Sequence, residues 1–199
     1  MLCPNCDREW EAIGKHFRGC GYPDLSDKQK DIMIGCLMGD GTIDNRNIES
    51  KNPRFTLANT NEAYAYEVHK KLQPFANITK VERKRRDIYN VRVVHPWVEN
   101  LTDWYSTGEK VFPELSLNPT ILKHWYCCDG CKKMGKGGSW CFHISMKNEV
   151  DRQENIRRMF NELGISISFY RYCLYTRNGD YKPYQIMGEP PKGMEYKWP

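Results

Sequence analysis

Two stretches of the chain close an apolar run with aspartate and glycine. They are Met33-Ile34-Gly35-Cys36-Leu37-Met38-Gly39-Asp40-Gly41 and Leu122-Lys123-His124-Trp125-Tyr126-Cys127-Cys128-Asp129-Gly130. A run that is apolar nearly all round reads as a helix buried on most sides, and glycine after it can supply the left-handed residue that stops a helix. A helix end carries partial negative charge and free carbonyl oxygens. A carboxylate there adds a full charge and hard oxygen ligands, so two such ends side by side would form a pocket for a hard divalent cation such as magnesium. A single Asp-Gly is merely a helix stop before a hairpin; two at matched positions of a repeat favour the metal site.

A second constellation sits in the first twenty residues. Cys3, Cys6, His16 and Cys20 are spaced C-x2-C-x9-H-x3-C. Nine cysteines without a secretory h-region point to reduced thiols and metal binding rather than a disulfide framework. Thiolates and imidazole suit zinc in a closed tetrahedron, which implies a structural role. A segment too short for its own core needs such a staple, and Gly19, Gly21 and Pro23 mark its boundary. Cys128, Cys131, Cys141 and His143 could hold a second zinc, although the first of these falls within the aspartate motif. Cys36 and Cys173 read as small buried hydrophobes.

The elements that must position these groups repeat. Ser26 and Gln29 make a capping box before the first apolar run; Asn118 and Pro119 open the second. Gly35 and Gly39, four apart on one face, allow another backbone to approach. After Asp40 the pattern predicts strands at 42–48 and 54–58, a helix at 61–75, strands at 78–84 and 88–94, and a helix near 97–105. After Asp129 it predicts strands at 131–134 and 139–144 and a helix at 149–163 stopped by Gly164. Strands at 166–176 and 181–187 then flank an Asn178-Gly179 hairpin turn. The fold class is α+β: a duplicated α-β-β-α-β-β unit, its last helix replaced by a Pro-rich tail, plus a small zinc module. The expected domains are 1–23 for the zinc module, 24–112 for the first repeat and 113–199 for the second.

The chain has 199 residues and a formal charge of +5, with basic clusters at Arg83-Lys84-Arg85-Arg86 and at Lys132, Lys133 and Lys136. Such clusters fit a polyanionic partner. No apolar run is long enough to span a membrane. A cytoplasmic, nucleoid-associated location is expected, with an organellar origin as the alternative.

The two motifs resemble those of the LAGLIDADG homing endonucleases, with Asp40 and Asp129 at the acidic positions; the second matches a variant motif carrying an aromatic-tryptophan pair. The stretch Tyr105-x2-Gly108-x-Lys110-Val111-x-Pro113 looks like the linker of one branch of that family, and the likeness covers about residues 25–189. The resemblance implies a pseudo-two-fold monomer whose two antiparallel sheets form a saddle in the DNA major groove. It implies phosphodiester hydrolysis with magnesium or another divalent cation held by Asp40 and Asp129, the carbonyls of Gly39 and Cys128 serving as extra ligands. The family places a basic residue near each metal. By that pattern His95 takes the position in the first repeat, while Glu189, an acid, stands at the matching place in the second. Lys147, and more weakly Thr60 or Asn61, match the polar position at the start of the middle helix. Arg46, Arg54, Arg83, Arg85, Lys132, Arg171 and Arg177, on or beside candidate strands, are the expected DNA contacts, with alternation turning about half of them away.

The leading expectation is a site-specific double-strand DNA endonuclease of a mobile element, acting on a long, largely asymmetric site. The alternative is a non-cleaving binder on the same scaffold, either a transcriptional regulator or a maturase that holds host intron RNA. A zinc-dependent protein-interaction module is a third reading, and it would bind without salt sensitivity.

Overall fold

The computed structural model describes residues 2–3, 5–10, 13–44, 53–105, 110–111, 113–134, 138–146 and 150–199. The chain folds as two compact units, Met1–Lys30 with Gly41–Asp103, and Asp31–Asp40 with Trp104–Pro199. No helix among the described residues is long and apolar enough to cross a membrane.

In the first unit, helix α1 (Ile13–Cys20) leads to the start of α2 (Asp27–Met38), which forms the expected capping box; from Asp31 onward α2 belongs to the second unit. The Ser26 amide donates to Gln29 Oε1 at 3.0 Å, and the Gln29 amide donates back to Ser26 Oγ at 3.3 Å. Strands β1 (Gly41–Asp44), β2 (Arg54–Asn59), β3 (Ala76–Val81) and β4 (Ile88–Val94) form an antiparallel sheet in the order β1-β2-β4-β3. Phe55, Leu57, Val91 and Val93 point to one side and are buried with Tyr64, Ala65 and Val68 of helix α3 (Glu62–Lys71). Asn61 caps that helix, its Oδ1 accepting from the Tyr64 amide at 3.1 Å. The helix is shorter than the predicted 61–75 because Pro74 lacks an amide and restricts the residue before it. A 3-10 helix, Pro96–Tyr105, follows β4.

In the second unit, α4 (Pro119–Asp129) begins at Asn118, whose Oδ1 accepts from the amides of Thr120 and Ile121 at 2.9 and 3.0 Å. Strands β5 (Gly130–Met134), β6 (Trp140–Ser145), β7 (Ser168–Tyr170) and β8 (Cys173–Tyr175) pair antiparallel in the order β5-β6-β8-β7, repeating the topology of the first sheet. Helix α5 (Gln153–Glu162) buries Ile156, Met159 and Phe160 and ends at Gly164, where φ is +66°.

Two expectations need correction here. The stretch expected as one strand over 166–176 is a hairpin turning at Arg171 and Tyr172, with Arg171 at φ +51°. The expected strand at 181–187 is instead helix α6 (Lys182–Met187). Pro183 cannot donate in a strand ladder but fits a first helical turn, while Tyr184 and Met187, three apart, share the buried face. The second repeat therefore ends in a helix and does not pass straight into a tail.

Candidate functional site

The two aspartates sit where the ends of α2 and α4 meet, both within the second unit. The helices touch at glycine. A Cβ on Gly35 would lie 2.5 Å from the Ile121 carbonyl oxygen, and one on Gly39 would lie 2.3 Å from Cys128 Cβ and 3.3 Å from Asp129 Oδ2. The backbone just before Asp40 thus presses against the carboxylate of Asp129. Asp129 is half-buried and Asp40 keeps an exposed flank. Burial, then repulsion from Asp40, pushes the Asp129 carboxyl up to about 6, while Lys110 and Lys197 pull the other way. Burial likewise raises Asp40, opposed by Lys197 and Lys110.

Neither lysine was expected at the site, although Lys110 lies in the linker stretch that the sequence singles out. Lys110 donates its ammonium to the Gly39 carbonyl. Lys197, only 8% exposed, donates to the Cys127 carbonyl at 2.6 Å and reaches the carbonyls of Tyr126 and Cys128 at 3.4 Å. Each therefore satisfies carbonyls that a helix C-terminus leaves open. Lys197 is placed by the tail: Tyr126 OH donates to its carbonyl at 2.9 Å, and Trp198 donates its indole hydrogen to the Gly188 carbonyl at 2.9 Å. The two carbonyls expected as metal ligands, those of Gly39 and Cys128, already face ammonium groups. The two carboxylates are the hard, negative oxygen donors left, and they fit a divalent cation of the magnesium type.

His95 is engaged elsewhere, in the first unit. Its Nε2 bonds the Pro23 carbonyl at 2.9 Å, its Nδ1 accepts from the Trp97 amide at 3.1 Å, and Tyr22 and Phe75 pack edge-on to its ring. Burial lowers its pKa, against the Pro23 bond and Asp24. These bonds fix a neutral ring that ties the segment after α1 to the sheet; they do not hold it poised for proton transfer. Lys147 lies outside the described residues, as does Arg46.

The expected nucleic-acid contacts divide. Arg54 opposes Asp44 across β1 and β2 and pairs with it at 2.6 Å. Arg83 and Arg85 are exposed in the connection between β3 and β4, and Arg171 and Arg177 are exposed around β8. Lys132 is corrected. Alternation places it on the same side of β5 as Phe142 opposite, where it donates to the Trp198 carbonyl and lies 4.8 Å from the centre of the Trp140 ring. Lys133 takes the open face in its stead.

At the N-terminus, Cys3, Cys6, His16 and Cys20 bring their ligand atoms within 4.8 Å of one another, the one such group of metal-ligating side chains among the described residues. The second set, Cys128, Cys131, Cys141 and His143, does not assemble. Cys131, Cys141 and His143 share one face of β5 and β6, but their ligand atoms are not gathered within 4.8 Å of one another, and Cys128 belongs to α4. The Cys3 and Cys20 sulfurs are 3.9 Å apart, near the edge of roughly 3.8 Å expected for a tetrahedron with Zn–S bonds of about 2.3 Å. His16 and Cys20, four apart on α1, share a face. Trp10 stacks on His16 at 4.3 Å, and Phe17 buries against Phe75, 5.6 Å between ring centres.

A family model, the LAGLIDADG DNA endonuclease family, matches residues 30–171. No curated protein matches the chain. Among solved structures, mesophilic variants of the homing endonuclease I-DmoI share 16% identity over 84% of this chain and 95% of theirs, with a TM-score of 0.55. A variant of I-DmoI in complex with its target DNA in the presence of Mg shares 15% over 82% of this chain and 99% of its own, with a TM-score of 0.52. Full-length DUF199/WhiA from Thermatoga maritima shares 15% over 88% of this chain but 61% of its own length, with a TM-score of 0.53.

Proposed function

The chain belongs to the LAGLIDADG DNA endonuclease family, and from that premise we propose that it is a site-specific double-strand DNA endonuclease dependent on a divalent cation. The observation that carries the reading is the packing of Gly39 against Cys128 and Asp129, which sets the Asp129 carboxylate against the backbone just before Asp40, within electrostatic reach of the Asp40 carboxylate. Asp40 and Asp129 would hold magnesium or a similar ion. Bound there, such an ion supplies an activated water and stabilises the leaving oxygen of a phosphodiester. The chain's own part is to fix the carboxylates on two abutting helix ends and to set Lys110 and Lys197 near them as counter-charges. Lys110 and Lys197, and not His95, are the basic groups that act on these carboxylates. I-DmoI, of like fold, has been solved with target DNA and Mg, which supports duplex DNA as the partner.

We assign zinc to Cys3, Cys6, His16 and Cys20, with a structural role because four protein ligands leave no open position. The test of the main reading is to incubate the protein with a randomised duplex library and Mg2+, then sequence the ends. Sequence-specific double-strand ends that vanish in Asp129→Asn support it. Tight duplex binding with no cutting of any sequence would assign the chain to the non-cleaving alternative.

A further inference from the structure

The two sheets share a strand order but not a surface chemistry. The open side of the first sheet carries Thr42, Thr56, Asn77, Thr79, Asn90 and Arg92, read from the alternation and register of its strands. These are hydrogen-bonding groups suited to base edges, which are all that a paired duplex presents in its grooves. The open side of the second sheet is a concavity of about 560 Å³ walled by rings and cations. Tyr170, Tyr172, Tyr175 and His143 supply the rings, Lys133 and Arg171 the charge, and among the described residues no carboxylate lines it.

Those rings are positioned to offer faces. Tyr170 and Tyr172, at the hairpin between β7 and β8, are 62% and 58% exposed. The Arg171 guanidinium lies 5.4 Å from the centre of the Tyr170 ring. His143 stacks on Tyr175, with 5.6 Å between ring centres and 23° between planes, and its buried Nδ1 has no hydrogen-bond partner among the described residues. A ring face needs another flat face. In a paired duplex the base faces are stacked inward, and they become available only where a base is unpaired. A lining of two cations without acid matches the phosphates on either side of such a base.

We propose that this groove takes an unpaired nucleobase, stacked on its tyrosines, with Lys133 and Arg171 on the flanking phosphates. The chain's nucleic-acid target would then contain a bulge, gap or loop opposite the second sheet. The proposal rests on the nucleic-acid-binding part of the reading above and not on cleavage. It is tested by fluorescence anisotropy with labelled probes of one sequence at one salt concentration: a fully paired DNA duplex, the same duplex with a short bulge, and an RNA hairpin with an open loop. The bulged DNA, the looped RNA or both should bind about tenfold or more tighter than the paired duplex, the worth of one stacked base; which of the two does so identifies the source of the base. Tyr170→Ala and Arg171→Ser, both at exposed positions, should each cut that preference about threefold or more, and Tyr175→Ala should remove it while paired-duplex affinity stays within about twofold. Equal binding of all three probes, or a preference that survives the Tyr170 and Arg171 variants, overturns the proposal. Loss of the preference leaves Mg2+-dependent cutting of paired DNA to be judged separately, so the two readings fail separately.

Discussion

Asp40 and Asp129 are chemically useful because they are crowded. Burial raises both, repulsion from Asp40 raises Asp129 further, and two ammonium groups offset the crowding. Replacing either with asparagine removes a hard ligand and a charge while keeping the shape. Asp40→Asn and Asp129→Asn should therefore each lower cleavage by about a thousandfold, the scale of several kcal/mol of lost charge stabilisation. Duplex affinity should stay within about threefold, which cleavage and anisotropy assays on the same preparation can check. His95 gives a prediction of different kind. Its folded pKa lies below the ordinary 6.5 because burial disfavours the charged ring. Between that lowered value and 6.5 the unfolded chain binds more protons, so stability rises with pH through this window and drains away as pH falls below about 6.5. Urea midpoints at pH 7.5 and 5.5 should accordingly fall further in the wild type than in His95→Gln. The aspartates were visible in sequence because acid-glycine after an apolar run announces a helix end, although Gly130 leaves α4 in extended backbone at φ −82° and not in the expected left-handed region. The place of the lysines at the site was not, since Lys197 acts on α4 from about 70 positions away, through a tail whose composition suggests nothing.

At the scale of elements, helix ends were legible where a cap is encoded locally: Ser26 with Gln29, Asn118 with Pro119, and Gly164 all do what their types imply. At 181–187 the strand pattern after the Asn-Gly turn gives way to Pro183, which a strand ladder cannot use and a first helical turn can. The close approach of α2 to α4 hangs on the two glycines. Gly35→Ala drives a methyl into the backbone at Ile121 and should cost about 1–3 kcal/mol or more. Gly19→Ala, on α1 with nothing within 4 Å, should be neutral or stabilising by up to about 1 kcal/mol. Denaturant midpoints of the two variants separate close packing from a general intolerance of alanine. Helix α1 has eight residues, too few to stand alone. Chelation, or Cys6→Ser, should release one zinc per chain by elemental analysis and expose the Cys3, Cys6 and Cys20 thiols to a thiol reagent, with Phe17 losing its seat on Phe75.

For the molecule as a whole, duplication supplied two sheets of one topology, and divergence gave their open sides different chemistry. The repeat itself could be read from sequence, because turns, caps and apolar periods recur in order. Which side each strand residue faces could not, as register depends on the partner strand, and Lys132 and Lys133 exchanged roles on that account. Long-range attraction to nucleic acid comes from what is exposed on the surface and is indifferent to register. Arg83 and Arg85 lie exposed in the β3–β4 connection of a chain with net charge +5. If both neutralise phosphates, each contributes about 0.9 to the slope of log affinity against log salt. Arg83→Ser with Arg85→Ser should then flatten that slope by about 1.8. The loss should be the same for any duplex sequence, because phosphate contacts carry no base information. Titrations of two unrelated duplexes from low to moderate salt measure this directly. An unchanged slope would place the phosphate contacts elsewhere on the surface, and a loss confined to one sequence would mean that these arginines reach base edges.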